Sequence, residues 1–217
     1  MSTFPNSPKL VRGGLLLVDP SSGAVRRVIT LQYNPDSISR SLQIKSTATE
    51  GSDRSEALRL KGPPVETIKL EAEIDATDQL EIADQQAVSV GIHPQLAALE
   101  TMVYPTSTQL LSNNSLAQSG TLEIVPMEAP LSLFVWSKSR IVPVRVTELS
   151  ITEEAFDAAL NPIRAKVSLS LRVLSIDDLG FGQKGGSLFL THLQQKEQLA
   201  SLNPSSALSV LGIGGIP

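Results

Sequence analysis

Residues 66–76 read ETIKLEAEIDA. Ile68, Leu70, Ala72, Ile74 and Ala76 share one parity, while Thr67, Lys69, Glu71, Glu73 and Asp75 share the other. Side chains alternate across a strand, so the pattern predicts a half-buried antiparallel strand with one face in a core and one in water. Residues 164–173, RAKVSLSLRV, repeat it. Ala165, Val167, Leu169, Leu171 and Val173 form the apolar set there, against Arg164, Lys166, Ser168, Ser170 and Arg172.

Weaker alternation surrounds these two segments. Ile29, Leu31 and Tyr33 alternate with Thr30 and Gln32 as far as Asn34-Pro35. Beyond that turn signal, Ile38, Leu42 and Ile44 alternate with Ser39, Ser41, Gln43 and Lys45, and Arg40 stands where an apolar residue is due. Further strands are predicted over Gly14–Asp19, Gly120–Val125, Leu131–Ser137 and Val142–Ile151. In the last, the apolar parity moves from Val142, Val144 and Val146 to Leu149 and Ile151, which predicts a bulge or a strand passing between two packed surfaces. Two helices are predicted. One carries Ile92, Leu96, Leu99 and Val103, with Pro94 in its first turn. The other starts near Ser187 as N-cap and carries Phe189, Leu190, Leu193 and Leu199. Ser46–Pro64 reads as a long hairpin loop, and Thr106–Ser119 as a Ser/Asn-rich loop. Many short strands with few helices predict a mainly β fold, an antiparallel barrel or a sandwich. The expected division is a β domain over 1–186, then a C-terminal helix and apolar tail over 187–217.

Composition narrows the function. The 217 residues are 41% hydrophobic and 18% charged, as in a folded soluble domain, and only 4% aromatic. A net charge of −4 argues against nucleic-acid binding, which needs clustered Lys and Arg to neutralise phosphates. Without cysteine there is neither disulfide nor thiolate metal site, which fits synthesis in the cytoplasm. The apolar run Leu15–Val18 is too short for a signal peptide or a membrane span.

No catalytic, cofactor-binding or metal residue is predicted. The two histidines, His93 and His192, are far apart in sequence, and His192 is expected to be solvated or at an interface. The carboxylate pairs Glu71/Glu73, Glu153/Glu154 and Asp177/Asp178 read as solvated surface rather than acid–base dyads. Gly180–Gly185 spells G-x-G-x-x-G after a strand and before a helix, yet lacks the second strand and acidic residue of a dinucleotide site. It reads as a flexible loop. Trp136 beside Phe134 reads as core or interface packing.

Four segments in order carry a resemblance: LQYNPDSISRSL (31–42), ETIKLEAEIDATDQLE (66–81), GIHPQLAALETMVYP (91–105), and the run from Pro130 to Leu174. Together, over about Gly14 to Leu199, the chain resembles the tube-like domain of contractile injection system proteins. It looks most like the tube-to-baseplate adaptor, or tube initiator, of phage-tail-like particles. The resemblance implies a structural, non-enzymatic β-barrel that needs no cofactor. It implies assembly into a six-fold ring around a lumen, with the inner-tube protein, spike and baseplate as partners. An inner-tube protomer of the same machine and a monomeric β-sandwich ligand-binding module are the alternatives. Many such adaptors continue into a LysM module; none is recognised through Pro217, and no LysM function is carried over.

The resemblance also places the expected interface. Tyr33, Asn34 and Pro35 would form a turn that either closes an internal hairpin or fixes two strands that meet a neighbour. Gly51 and Arg54 would lie in a loop touching a stacked ring. Leu208, Val210, Leu211, Ile213 and Ile216 would form an apolar tail docking on a baseplate partner or a neighbouring protomer. The polar strand face with Thr67, Lys69, Glu71 and Glu73 would line a wet lumen.

Overall fold

A computed structural model describes residues 10–45, 60–119, 130–203 and 208–216. The two strongly alternating segments are neighbours: β4 (Val65–Asp75) pairs antiparallel with β7 (Pro162–Val173), from Thr67 opposite Arg172 to Asp75 opposite Arg164. Opposed residues point the same way, so the two apolar sets form one continuous surface and the two polar sets another. Around this pair the chain builds a single seven-stranded antiparallel sheet in the order β2-β1-β5-β6-β7-β4-β3. The others are β1 (Gly14–Val18), β2 (Val25–Thr30), β3 (Ile38–Gln43), β5 (Leu131–Ser137) and β6 (Arg140–Phe156). The mainly β, antiparallel fold is the one predicted. The strand expected over Gly120–Val125 lies outside the described residues.

The change of parity in β6 is a bulge. Val146 faces Leu171, but Glu148 faces Ser170, leaving Thr147 as the extra residue. Its hydroxyl donates to the Ser170 carbonyl at 3.0 Å. The bulge keeps Val142, Val144 and Val146, and then Leu149 and Ile151, on one face over a 17-residue strand.

That face encloses the core. Ala165, Val167 and Leu171 are fully buried, together with Leu15, Ile68, Phe134 and Ile92. Trp136 stacks on Phe134 with ring centroids 6.1 Å apart, at the margin of this core. One end is plugged by α3 (His93–Glu100), whose Leu96 and Leu99 point inward. Gly91 delivers α3 to that place. Its φ of +58° is left-handed, and a Cβ would stand 2.2 Å from the Pro162 carbonyl, which accepts the Ile92 N–H at 2.9 Å. The core also receives Phe189 from α5 (Lys184–Ser201).

Five α-helices are present among the described residues, where sequence predicts two. The short α1 (Thr77–Glu81) and α2 (Gln85–Val90) span too few residues to display a period. Thr106–Ser119 is not a loop: α4 occupies Ser107–Gln118. It buries no residue, so it has no apolar stripe to betray it. Its start is nevertheless a reciprocal capping box between Thr106 and Gln109. The last helix begins after Gln183, so Ser187 lies inside it rather than at its cap.

The hairpin reading of Asn34-Pro35 is corrected as well. The strand before it ends at Thr30, and β2 and β3 are the two opposite ends of the sheet order. The link between them therefore spans the seam of a rolled sheet. Gln32 bridges that seam as a strand residue would. Its Nε2 donates to the Asp75 carbonyl at 2.6 Å, and its Oε1 accepts the Asp75 N–H at 2.9 Å. Asn34 does the same for the N-terminal segment, accepting from the Gly13 N–H and donating to the Val11 carbonyl, both at 2.9 Å.

Candidate assembly surface

Strands β6, β7, β4 and β3 form a four-stranded slab whose outer face is largely polar, with Val65 opposite Gln43 and the half-exposed Phe156 opposite Pro162 as apolar residues at its ends. Arg145, Arg172, Arg164, Lys166 and Lys69 supply its cations; Glu148, Glu154, Glu71, Glu73 and Asp75 supply its acids. Hydroxyls fill the remaining rows, as where Ser168 stands between Glu71 and Ser150. Several charges neutralise one another across strands. Arg164 meets Asp75 at 2.7 Å, and Lys166 meets Glu154 at 3.1 Å. Thr77 and Arg164 hold the Asp75 carboxyl below its usual range despite partial burial. Glu71 and Glu73 are solvated members of this face, as predicted from sequence.

Both borders of the slab lack a strand partner among the described residues. β3 pairs with β4 on one side only. β6 pairs with β5 only through Arg140–Val144 and Ser132–Ser137, so from Arg145 to Phe156 its far border is free. Such rows of unsatisfied N–H and C=O groups are templates for another chain.

Beneath the β3 border lies a charge cluster where a core would be expected. The inner-face parity puts Arg40 opposite Ile68 and Leu42 opposite Glu66. Glu66 is 6% exposed; it accepts from Arg40 Nε at 2.9 Å and from Lys196 Nζ of α5 at 2.8 Å. Burial alone would raise its carboxyl pKa, but Lys196 and Arg40 hold it below the ordinary value. His192, one turn before Lys196, is 5% exposed, with no hydrogen-bond partner at Nδ1. Burial, aided by the Lys196 charge, pulls its pKa down to about 4. This corrects the expectation of a solvated His192. Arg40 is the visible half of the cluster in sequence. Glu66, inward by the same parity that defines β4, is the half that strand-by-strand reading misses.

The predicted interface residues fall into two groups. Tyr33 and Asn34 are exposed on the seam link, and Pro35 is half-buried beside Lys69 and Glu71 of the slab. Gly51 and Arg54 lie outside the described residues; the base of their loop is pinched where the Lys61 N–H donates to the Lys45 carbonyl at 3.0 Å. Leu208, Val210, Leu211, Ile213 and Ile216 are all exposed, the first three on a short 3-10 helix spanning Leu208–Leu211. No described contact joins this segment to the seam link. Gly180 and Gly182 stand in open space, while Gly185 and Gly186 are packed inside α5, so the G-x-G-x-x-G run forms no phosphate cradle. No metal-ligating cluster occurs among the described residues, and none of their helices is long and apolar enough to cross a membrane.

A slab with two borders unpaired among the described residues is suited to assembly, and the family comparison is compatible with that. Residues 18–179 match the family described as contractile injection system tube protein. The chain belongs to this family. A tube protein of a contractile injection system is a structural component of that machine. Among solved structures, a chain titled "Tail of empty GTA particle computed with helical refinement, C6 symmetry" aligns at 14% identity, over 73% of this tube protein and 90% of that chain. The TM-score is 0.26. Comparison with curated proteins finds no match.

Proposed function

We propose that this tube-family chain forms a closed ring that joins the inner tube to the baseplate and spike, the adaptor or initiator role. The observation that carries the ring is the pair of borders, on β3 and β6, that no described strand pairs with. Within the slab, strand directions alternate over an even number of strands. The β3 border of one copy therefore runs antiparallel to the β6 border of a second copy placed beside it in the same orientation. Such head-to-tail contacts close into rings when the rotation permits. Six copies of a four-stranded slab at ~4.8 Å per strand give a wall ~115 Å around and ~37 Å across, before strand tilt widens it. The mixed-charge outer face, with Phe156 at one end as its single aromatic, then lines the lumen, where a cargo finds little apolar surface to hold it.

The adaptor role, rather than that of a repeating tube protomer, is favoured by what lies beyond the family match. α5 and the exposed aliphatics of 208–216 follow residue 179. Apolar side chains of this size favour burial by roughly 1.5–3 kcal/mol each, so we assign the segment to a baseplate partner or a neighbouring copy. The loop between β3 and β4 is assigned to contact with a stacked ring. Synthesis in the cytoplasm followed by incorporation into the particle completes the reading.

Electron microscopy of the purified protein tests it. Single rings that do not lengthen support the adaptor, and long stacked tubes identify an inner-tube protomer. Monomers at every concentration refute both. Truncation after Asn203 should leave rings intact but abolish their capture by the baseplate; normal capture would remove the tail from the account.

A further inference from the structure

We infer that the aliphatic side chains of β3 from one copy seat in the groove beside the β6 border of the next, so that the ring contact has a built apolar anchor under its backbone ladder. This rests on the ring reading above and names the residues that decide it.

The first support is an exposure that the fold does not explain. Ile68 on β4 is 1% exposed, yet Leu42, on the same inner face of the adjacent strand, is 50% exposed and Ile44 just beyond is 69% exposed. No described residue covers them, although their parity is that of core residues. At the other border a matching vacancy exists. Val103 and Tyr104, just beyond α3, and Val146 and Leu149 of β6 line a groove of about 400 Å³. Val146 and Leu149 are inner-face residues by their pairing with Leu171 and Leu169. When β3 of a second copy adds to β6, its inner-face side chains emerge on the side where this groove lies, because a shared ladder gives opposed residues a common face.

The second support is charge. Residues 38–45 carry Arg40 and Lys45 and no acid. Residues 145–156 carry Glu148, Glu153 and Glu154 against Arg145 alone, and the groove adds Glu100. With their ion-pair partners counted, the β3 border (Arg40, Lys45 and Lys196 against Glu66 and Asp177) keeps one excess cation. The β6 border (Glu100, Glu148, Glu153 and Glu154 against Arg145 and Lys166) keeps two excess acids. Border β3 therefore complements border β6, whereas β3 against β3 or β6 against β6 opposes like charges. This selects head-to-tail joining over a two-fold dimer.

The absence of cysteine makes the test direct. Leu42→Cys and Tyr104→Cys proteins are mixed, treated with a short bis-maleimide, and imaged in parallel. The expected product is the 42–104 heterodimer, and a doubly substituted chain should give a ladder up to the closed ring. Rings without 42–104 product, or with 42–42 product alone, overturn the docking while leaving the ring reading standing. Neither rings nor crosslinks overturn both. A second pair isolates the charge argument. Ile44→Glu should weaken assembly at least tenfold more than Ile44→Lys, with both protomers melting as wild type; equal loss in the two would sink the electrostatic part, and no loss in either the anchor itself.

Discussion

Strands β4 and β3 are neighbours in one sheet, alternate in sequence in the same way, and end in opposite situations. The inner residues of β4 are core: Ile68 and Leu70 are closed over by β7 and the helices. Of the inner residues of β3, Ile38 packs on the core margin, but Leu42 is half exposed and Arg40 rests on the ion cluster with Glu66 and Lys196. Alternation thus reports that a strand has one dry face without saying whose atoms dry it. In β4 they come from the same chain; at β3 the proposed source is a second copy.

The sharpest way to break this comparison is to shorten an aliphatic side chain in each region. Leu171→Ala, at the centre of the slab core, should cost ~3 kcal/mol in chemical denaturation, as deletion of a fully buried aliphatic does. A loss below ~1 kcal/mol would mean that the slab is not the folding core. Next is acid. The His192 ring stays neutral in the fold down to about 4, whereas in the unfolded chain it takes up a proton near its ordinary value. The unfolded state therefore binds more protons between these values. Stability should fall as pH drops from ~6.5 to ~4, by at most ~3 kcal/mol, and level off below. His192→Leu should flatten that window in pH-dependent melting curves. The Glu66 contribution would survive, being lost only as pH falls through a folded pKa below the ordinary carboxylate value.

Glu66→Gln should cost ~2 kcal/mol, because Arg40 and Lys196 would then face each other without their shared counter-charge. Lys196→Met should cost less, since Arg40 still satisfies the carboxylate. A smaller effect is expected at the seam. Gln32→Ala removes both bonds to the Asp75 backbone, and ~1 kcal/mol should be lost. Faster amide exchange at Asp75 would confirm where. Smallest of all, Leu42→Ser should change protomer stability by less than ~0.5 kcal/mol, half-exposed as it is. A core-sized loss there would erase the distinction between the two strands.

The slab was legible in the sequence because period-2 alternation over eleven and ten residues leaves no other reading for 66–76 and 164–173. The bulge was legible because one extra residue must reverse parity. Order in the sheet was not. Nothing local to Leu31–Ser37 distinguishes a hairpin from a link between opposite borders, since both need a strand to end, a turn and a strand to begin. The Gln32 and Asp75 contact that distinguishes them joins residues remote in sequence. α4 was missed because its run of Ser and Asn reads as loop and it buries no apolar stripe; its start is marked by a cap, and a cap is a signal of two residues. Of the assembly surface, the polar face and the anomaly at Arg40 were readable. The free border of β6 was not, because its length depends on where β5 stops.

The two ends of the slab are unlike. One carries the β3–β4 connection, Lys45 paired with Asp177 at 2.7 Å, and Lys196 of α5. The other carries the turn from Asp157 to Asn161, where Asn161 Nδ2 donates to Asp157 Oδ2, beside α1 and α2. Protomers added side by side in one orientation give an annulus an upper rim and a lower rim of different chemistry. Assembly on the proposed ring would then be vectorial: one rim meets the inner tube and the other the baseplate, and the particle acquires a front and a back from the first layer laid down.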